Sequence, residues 1–383
     1  MRRITLAKSA LAVGLAAACA WTLMGCSAQS GDVKLTGGVA ATVNGVEIPE
    51  DEVTMTVESV RSDQSMTDEE SWGKWMAQYG YTPESVREEV LDGLINQEIL
   101  LQNAESRGVT VDDATVDENV QSMKSNYESD EKWQEALSSV GITEDEYREN
   151  IKLSLLYQGV TATFEEESAP TDDSLMETAK TYMTYYDGAK RSSHILFDAA
   201  DEATAQEVLN QINAGTLDFA TAAQEYSKDT GSASQGGDVG WDKLAQFVTE
   251  YTDALADLDE GQVSGLVKSS YGIHVIKCTQ VFNAPEELTS LDQIPAEFLS
   301  VLTDMVKKQN QQTAYSDWLK SCRDNSEVVI NDLPKNVSYN LDISKYNAEL
   351  GDTVPADGED VDAGSGDESQ SDAEEASASV AEN

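Results

Sequence analysis

The sequence predicts an α+β protein: a split, mostly helical domain, an α/β sandwich inserted into it, and a disordered acidic tail. Three observations predict this. Apolar residues recur at helical spacing on both sides of one central segment. That segment, bracketed by Pro170 and Pro285 with no proline between them, switches to alternating strands and short helices. From Tyr346 to Asn383 there is no Lys or Arg, while Asp and Glu recur throughout.

The N-terminus reads as a targeting segment. Arg2, Arg3 and Lys8 precede an apolar run from Ala10 to Leu23. That run is shorter than the ~20 apolar residues of a bilayer span and has the size of a signal-peptide core. It ends in Leu23-Met24-Gly25-Cys26, which resembles a bacterial lipobox. Residues 1–25 are therefore expected to be a lipoprotein signal peptide and Cys26 to carry lipid. The other reading is an uncleaved anchor helix. Both place the remaining chain outside the cytoplasmic membrane, attached to the cell membrane. Residues 26–38, rich in Gly, Ser, Gln and Asp, form a short tether.

Charge and cysteine usage exclude several function classes. The net charge is −46 over 383 residues. The stretch from Tyr346 onward holds 12 acids, about a quarter of that imbalance, so the folded part is acidic too. Nucleic acid is excluded as a partner, because phosphate contacts need a positive surface. Cys19 and Cys26 fall in the targeting segment, which leaves Cys278 and Cys322. They are read as two buried free thiols, with a disulfide as the alternative. With only two histidines besides, no metal site is expected, and no cofactor motif appears.

The helical domain begins with a hairpin. Val39 to Val43 and Val46 to Ile48 read as strands around the turn Asn44-Gly45. Pro49-Glu50-Asp51-Glu52 opens a helix to about Ser62. Trp72 and Trp75 lie on a helix or in a loop. Val86, Val90, Leu91, Leu94, Ile95 and Ile99 trace a long helix ending by Gly108. Further helices fit 112–127 and 130–140, and Thr143 with Glu146 caps another. A helix over 174–186 follows the breaker at 168–173. After Pro285 comes a helix with Leu299, Leu302, Met305 and Val306 on one face, then a short strand at Val328-Val329-Ile330. The expected domain comprises 39–186 and 286–333, interrupted by the insert at 188–283, with the disordered tail at 346–383.

The strand and turn Ala41-Thr42-Val43-Asn44-Gly45-Val46-Glu47-Ile48-Pro49, with the helix start Gly141-Ile142-Thr143-Glu144-Asp145-Glu146-Tyr147-Arg148, resembles the N-terminal region of foldase lipoproteins and periplasmic chaperones of the PrsA and SurA class. The resemblance implies a chaperone-like helical domain.

Within the insert, 191–197 alternates into a strand, 203–213 and 219–226 read as helices, and a polar glycine-rich loop leads to Val239-Gly240-Trp241. A helix at 249–255, a turn at Gly261-Gln262-Val263-Ser264 and a strand at 272–277 complete the unit. Gly236-Gly237-Asp238-Val239-Gly240 is not a phosphate loop, because it lacks the Lys-Ser/Thr pair. Five pieces in this order are similar to the parvulin-type peptidyl-prolyl isomerases: His194-Ile195-Leu196; Asp218-Phe219-Ala220 through Tyr226-Ser227; Gly236 to Trp241; Gly261 to Ser264; and Tyr271-Gly272-Ile273-His274-Val275-Ile276-Lys277.

That resemblance implies the site. His194 and His274 would sit side by side on central strands, hydrogen-bonded into a network with Ser269. Asp229 falls where parvulins carry Cys or Asp beside the substrate carbonyl. Val239, Phe247 and Tyr251 fall in the proline pocket, where Val239 replaces the usual Leu and Tyr251 the usual Phe. Tyr251 brings a hydroxyl that must be satisfied. Lys243-Leu244-Ala245-Gln246 replaces the common Arg-Gly. The expected function is an extracytoplasmic folding factor that isomerises X-Pro bonds in unfolded or partly folded exported chains and binds them as a chaperone. The alternatives are a holdase whose insert is only structural and, third, a solute-binding lipoprotein, which would need two alternating βα lobes that this chain lacks.

Overall fold

A computed structural model describes residues 35–353. The expected signal peptide, the lipidation residue Cys26 and the tail beyond Thr353 lie outside the described residues. In chain order the elements are β1 (Val39–Val43), β2 (Val46–Pro49), α1 (Glu50–Asp63), α2 (Glu69–Tyr79), α3 (Pro83–Asn103), α4 (Asp113–Lys124), α5 (Asp130–Ser139), α6 (Glu144–Ala162), α7 (Asp172–Tyr186), β3 (Lys190–Phe197), α8 (Glu202–Asn213), α9 (Phe219–Tyr226), β4 (Asp238–Trp241), α10 (Thr249–Ala256), β5 (Val267–Ser269), β6 (Gly272–Val281), α11 (Ala296–Asp324), β7 (Val328–Ile330) and α12 (Ser344–Thr353).

They form two compact units, one of residues 35–95, 124–147 and 327–353, the other of 96–123 and 148–326. In the first, β1 lies between β2 and β7, antiparallel to both. Asn44 takes a positive φ of 52°, as the tight turn requires. The pairing of Ala41 with Ile330 brings the two ends of the split domain into one sheet. A buried ion pair reinforces this. Arg87 donates to both carboxylate oxygens of Glu50, at 2.9 and 2.6 Å, and to the carbonyl of Asn331 at 2.9 Å. The hydroxyl of Tyr339 donates to the same Glu50, at 3.1 Å. Every polar group of this buried pair has a partner, which offsets the cost of taking both charges out of water.

One expectation needs correction here, and one open alternative is resolved. The tail does not lose structure at Tyr346: that residue is on α12, buried, and its ring lies against Gly73 of α2, where a Cβ would come within 2.0 Å. Trp72 and Trp75, left between helix and loop, both lie on α2 with their rings stacked at 5.0 Å.

In the second unit, α11 packs on α7. The buried stripe of α11 is Phe298, Leu302 and Val306, at i, i+4 and i+8, and Met305 is exposed, which corrects the face expected for this helix. Tyr186, Trp241, Phe282 and Phe298 share one apolar cluster, which joins the insert to α7 and α11. The insert's sheet has the order β4-β3-β6-β5, all antiparallel. Side chains alternate across it. Ile195, Phe197, Ile273 and Val275 face α8 and α9. Ile276 and Cys278 face Tyr251 and Leu255 of α10. Cys278 and Cys322 are both free; Cys278 is buried, but Cys322 is only half-buried, against the expectation of two buried thiols.

Candidate active site

The strand register decides what the two histidines can do. Leu196 pairs with His274, and His194 with Ile276. The two histidines therefore lie diagonally across neighbouring central strands on one face, the face covered by α10. Their Nδ1 atoms are 3.1 Å apart. His194 Nε2 is 2.8 Å from Asp229 Oδ2, and His274 Nε2 is 2.7 Å from Ser269 Oγ. His194, His274, Ser269 and Asp229, expected at one site, are brought together.

These contacts form one directed chain. A carboxylate only accepts, so His194 Nε2–H donates to Asp229. His194 Nδ1 then accepts from His274 Nδ1–H, and His274 Nε2 accepts from the Ser269 hydroxyl. The tautomers follow from the bonding pattern. Ser269 Oγ in turn accepts from the backbone N–H of Tyr271 at 3.1 Å. Burial, with the repulsion that a second proton on the neighbouring imidazole would meet, depresses His274 to about 4, which keeps it neutral at physiological pH. Burial also acts to raise the Asp229 carboxyl. Hydrogen bonds from His194, Ser232 and the Gly231 N–H outweigh that effect and hold it below the usual carboxylate range.

The loop carrying Asp229 is fixed to β3. Ser232, buried, donates its hydroxyl to Asp229 Oδ2. The N–H of His194 donates to the Gly237 carbonyl at 2.8 Å. Gly237 has φ +82°, and a Cβ there would stand 2.2 Å from the His194 carbonyl oxygen. Only glycine permits this approach.

Val239, Phe247 and Tyr251 form one apolar cluster with Ile276 and Cys278. The Tyr251 ring stands edge-on to both histidines, with centroids at 5.8 and 5.5 Å, and Phe247 lies 4.5 Å from it. Tyr251 is buried, whereas Val239 and Phe247 are half-exposed and offer the open apolar surface. The Tyr251 hydroxyl finds its partner in Ser192 Oγ, at 3.0 Å. Burial pushes this phenol above its ordinary value, so it stays neutral. Ser192, Ser232 and Lys190 were not singled out in the sequence. Ser192 and Lys190 bond partners distant along the chain, Ser232 lies three residues from Asp229 inside the polar loop, and no local motif marks any of them.

Residues 194–280 match the Rotamase family, described as a PPIC-type PPIase domain, and residues 1–161 match the SurA-like N-terminal domain. The foldase protein PrsA of Geobacillus sp. (strain WCH70) is 34% identical over 217 residues, which span 57% of this chain and 69% of that protein. The chain belongs to the PrsA foldase family. A second PrsA, from Caldanaerobacter subterraneus subsp. tengcongensis, is 28% identical over 348 residues, 89% of this chain and 99% of that protein. The crystal structure of PrsA from Bacillus subtilis aligns over 82% of this chain and 100% of its own, at 23% identity and a TM-score of 0.31. As a PrsA-family foldase, the chain carries a parvulin-type peptidyl-prolyl cis-trans isomerase domain.

Proposed function

We propose that this foldase works on the outer side of the cell membrane, held there by lipid on Cys26, and isomerises X-Pro bonds in unfolded or partly folded exported chains that it also binds as a chaperone. In this reading the helical domain (39–186 and 286–333) holds the client and the insert (188–283) performs the chemistry. Among the described residues, no helix is long and apolar enough to cross a membrane.

The observation that carries the reading is the directed chain Ser269–His274–His194–Asp229 beside the apolar cluster of Val239, Phe247 and Tyr251. Rotation of a prolyl amide meets a barrier of ~18–20 kcal/mol, which comes from amide resonance. No bond is made or broken. Resonance places negative charge on the carbonyl oxygen. A carboxylate beside that oxygen disfavours the planar form, while an apolar pocket for the ring excludes water and orients the bond. Asp229, ionised and fixed by His194, Ser232 and Gly231, suits that task. His194 positions it, and neutral His274 with Ser269 fixes the tautomer of His194.

The test is refolding of a protein whose slow phase is proline-limited, measured with the full chain. The wild type accelerates that phase and suppresses client aggregation. Asp229→Ala suppresses aggregation equally but loses the acceleration. Aggregation suppression by a wild type that leaves the slow phase unchanged would mean a holdase with a structural insert.

A further inference from the structure

Lys190 touches neither the histidine chain nor the apolar pocket, yet both ends of the segment that carries the pocket converge on it. At one end, the Lys190 N–H donates to Asp242 Oδ1 at 3.0 Å, and the Asp242 N–H donates to the Lys190 carbonyl at 2.9 Å. At the other end, the Lys190 ammonium donates to the carbonyls of Leu255 at 3.2 Å, Leu258 at 2.7 Å and Ala256. Phe247 and Tyr251 lie between these ties.

The second tie answers a specific need. α10 has eight residues and no basic residue in its last turn. The last four carbonyls of a helix have no partner within it, and that end carries partial negative charge. Leu255 also accepts from the Leu258 N–H at 3.1 Å and Leu258 lies beyond the helix, so the ammonium supplies a donor chiefly to Ala256, the last residue of α10, and places a positive charge at that end. It comes from the first residue of β3, the strand that holds His194 four positions later.

We propose that Lys190 is a positioning residue: it locks the segment 242–258 to β3 and so sets the proline pocket against the histidine chain. This rests on the reading that Val239, Phe247 and Tyr251 hold the substrate proline. Lys190→Met keeps the stem and removes the ammonium, while Lys190→Arg keeps a cation.

The experiment uses the full chain and an Xaa-Pro peptide, followed by NMR titration, exchange spectroscopy and amide hydrogen exchange. In Lys190→Met the peptide Kd rises about tenfold, in line with the loss of charge-assisted hydrogen bonds. The interconversion rate at saturation and its pH profile stay as in the wild type, because the Asp229 network is untouched. Amides of α10 exchange faster, those of β3 and β6 do not, and Lys190→Arg restores most of both effects. An unchanged Kd, with or without faster exchange in α10, overturns the proposal. So does a lost saturated rate at unchanged Kd. If the wild type shows no interconversion, the functional reading fails, and peptide affinity with α10 exchange still decides the lock. If Lys190→Met loosens the whole sheet, Asp242→Ala removes the side-chain half of the other tie and keeps its backbone half: a raised Kd supports the lock, an unchanged one overturns it.

Discussion

His274 is nearly sealed from solvent and is held to about 4, against its ordinary 6.5. Unfolded, the ring takes a proton as pH falls through about 6.5; folded, it resists until about 4. In that window the unfolded state binds more protons, so acid destabilises the fold and stability returns as pH rises through it. The difference is on the order of 3 kcal/mol for a shift of this size. Denaturant unfolding at a series of pH values should show a steep loss between 6.5 and 4 in the wild type and a shallower one in His274→Asn. Parallel curves would contradict the neutral assignment. At this scale much of the site was legible, because His194 and His274 sit inside local motifs and Asp229 and Ser269 each lie two residues from one. Ser192 was not: its partner Tyr251 lies 59 residues away, and no local pattern records that contact.

The elements were legible where capping and periodicity agree. Thr143 and Glu146 were read as an N-cap pair, and the structure shows both reciprocal bonds, Glu146 N–H to Thr143 Oγ1 at 3.2 Å and Thr143 N–H to Glu146 at 2.7 Å. α12 was not legible, because the composition around it is dominated by the acidic residues that follow. Its start is held by the Tyr346 ring on Gly73, the Tyr346 hydroxyl on the Glu69 carbonyl at 3.1 Å and Lys345 on Glu69 at 3.4 Å, and composition cannot register such contacts. The loop from α9 to β4 carries a prediction of its own. Gly237→Ala adds a Cβ at a positive φ and against the backbone of His194. Strain of that kind costs on the order of 2 kcal/mol or more. It should lower the thermal midpoint and disturb the resonance of His194 in the folded protein. An unperturbed His194 resonance would show that the loop does not hold β3.

At the scale of the molecule, the final strand was readable, whereas the two compact units, which put 96–123 and 148–186 together with the insert, were not. β7 pairs with β1, and Glu50, Arg87, Asn331 and Tyr339 meet in one buried network, so residues from both ends of the chain build the same unit. The sequence did not show that the insert shares an apolar cluster with α7 and α11, because no local pattern links Trp241 and Phe282 to Tyr186 and Phe298. The proposed function rests on catalysis by the insert through Asp229, beside an apolar pocket. Exchange NMR on an Xaa-Pro peptide with the full chain tests it most directly. The wild type is expected to accelerate cis-trans interconversion, and a folded Asp229→Ala variant to bind the peptide without accelerating it; equal acceleration by both, or none by the wild type, would overturn the proposed role of Asp229.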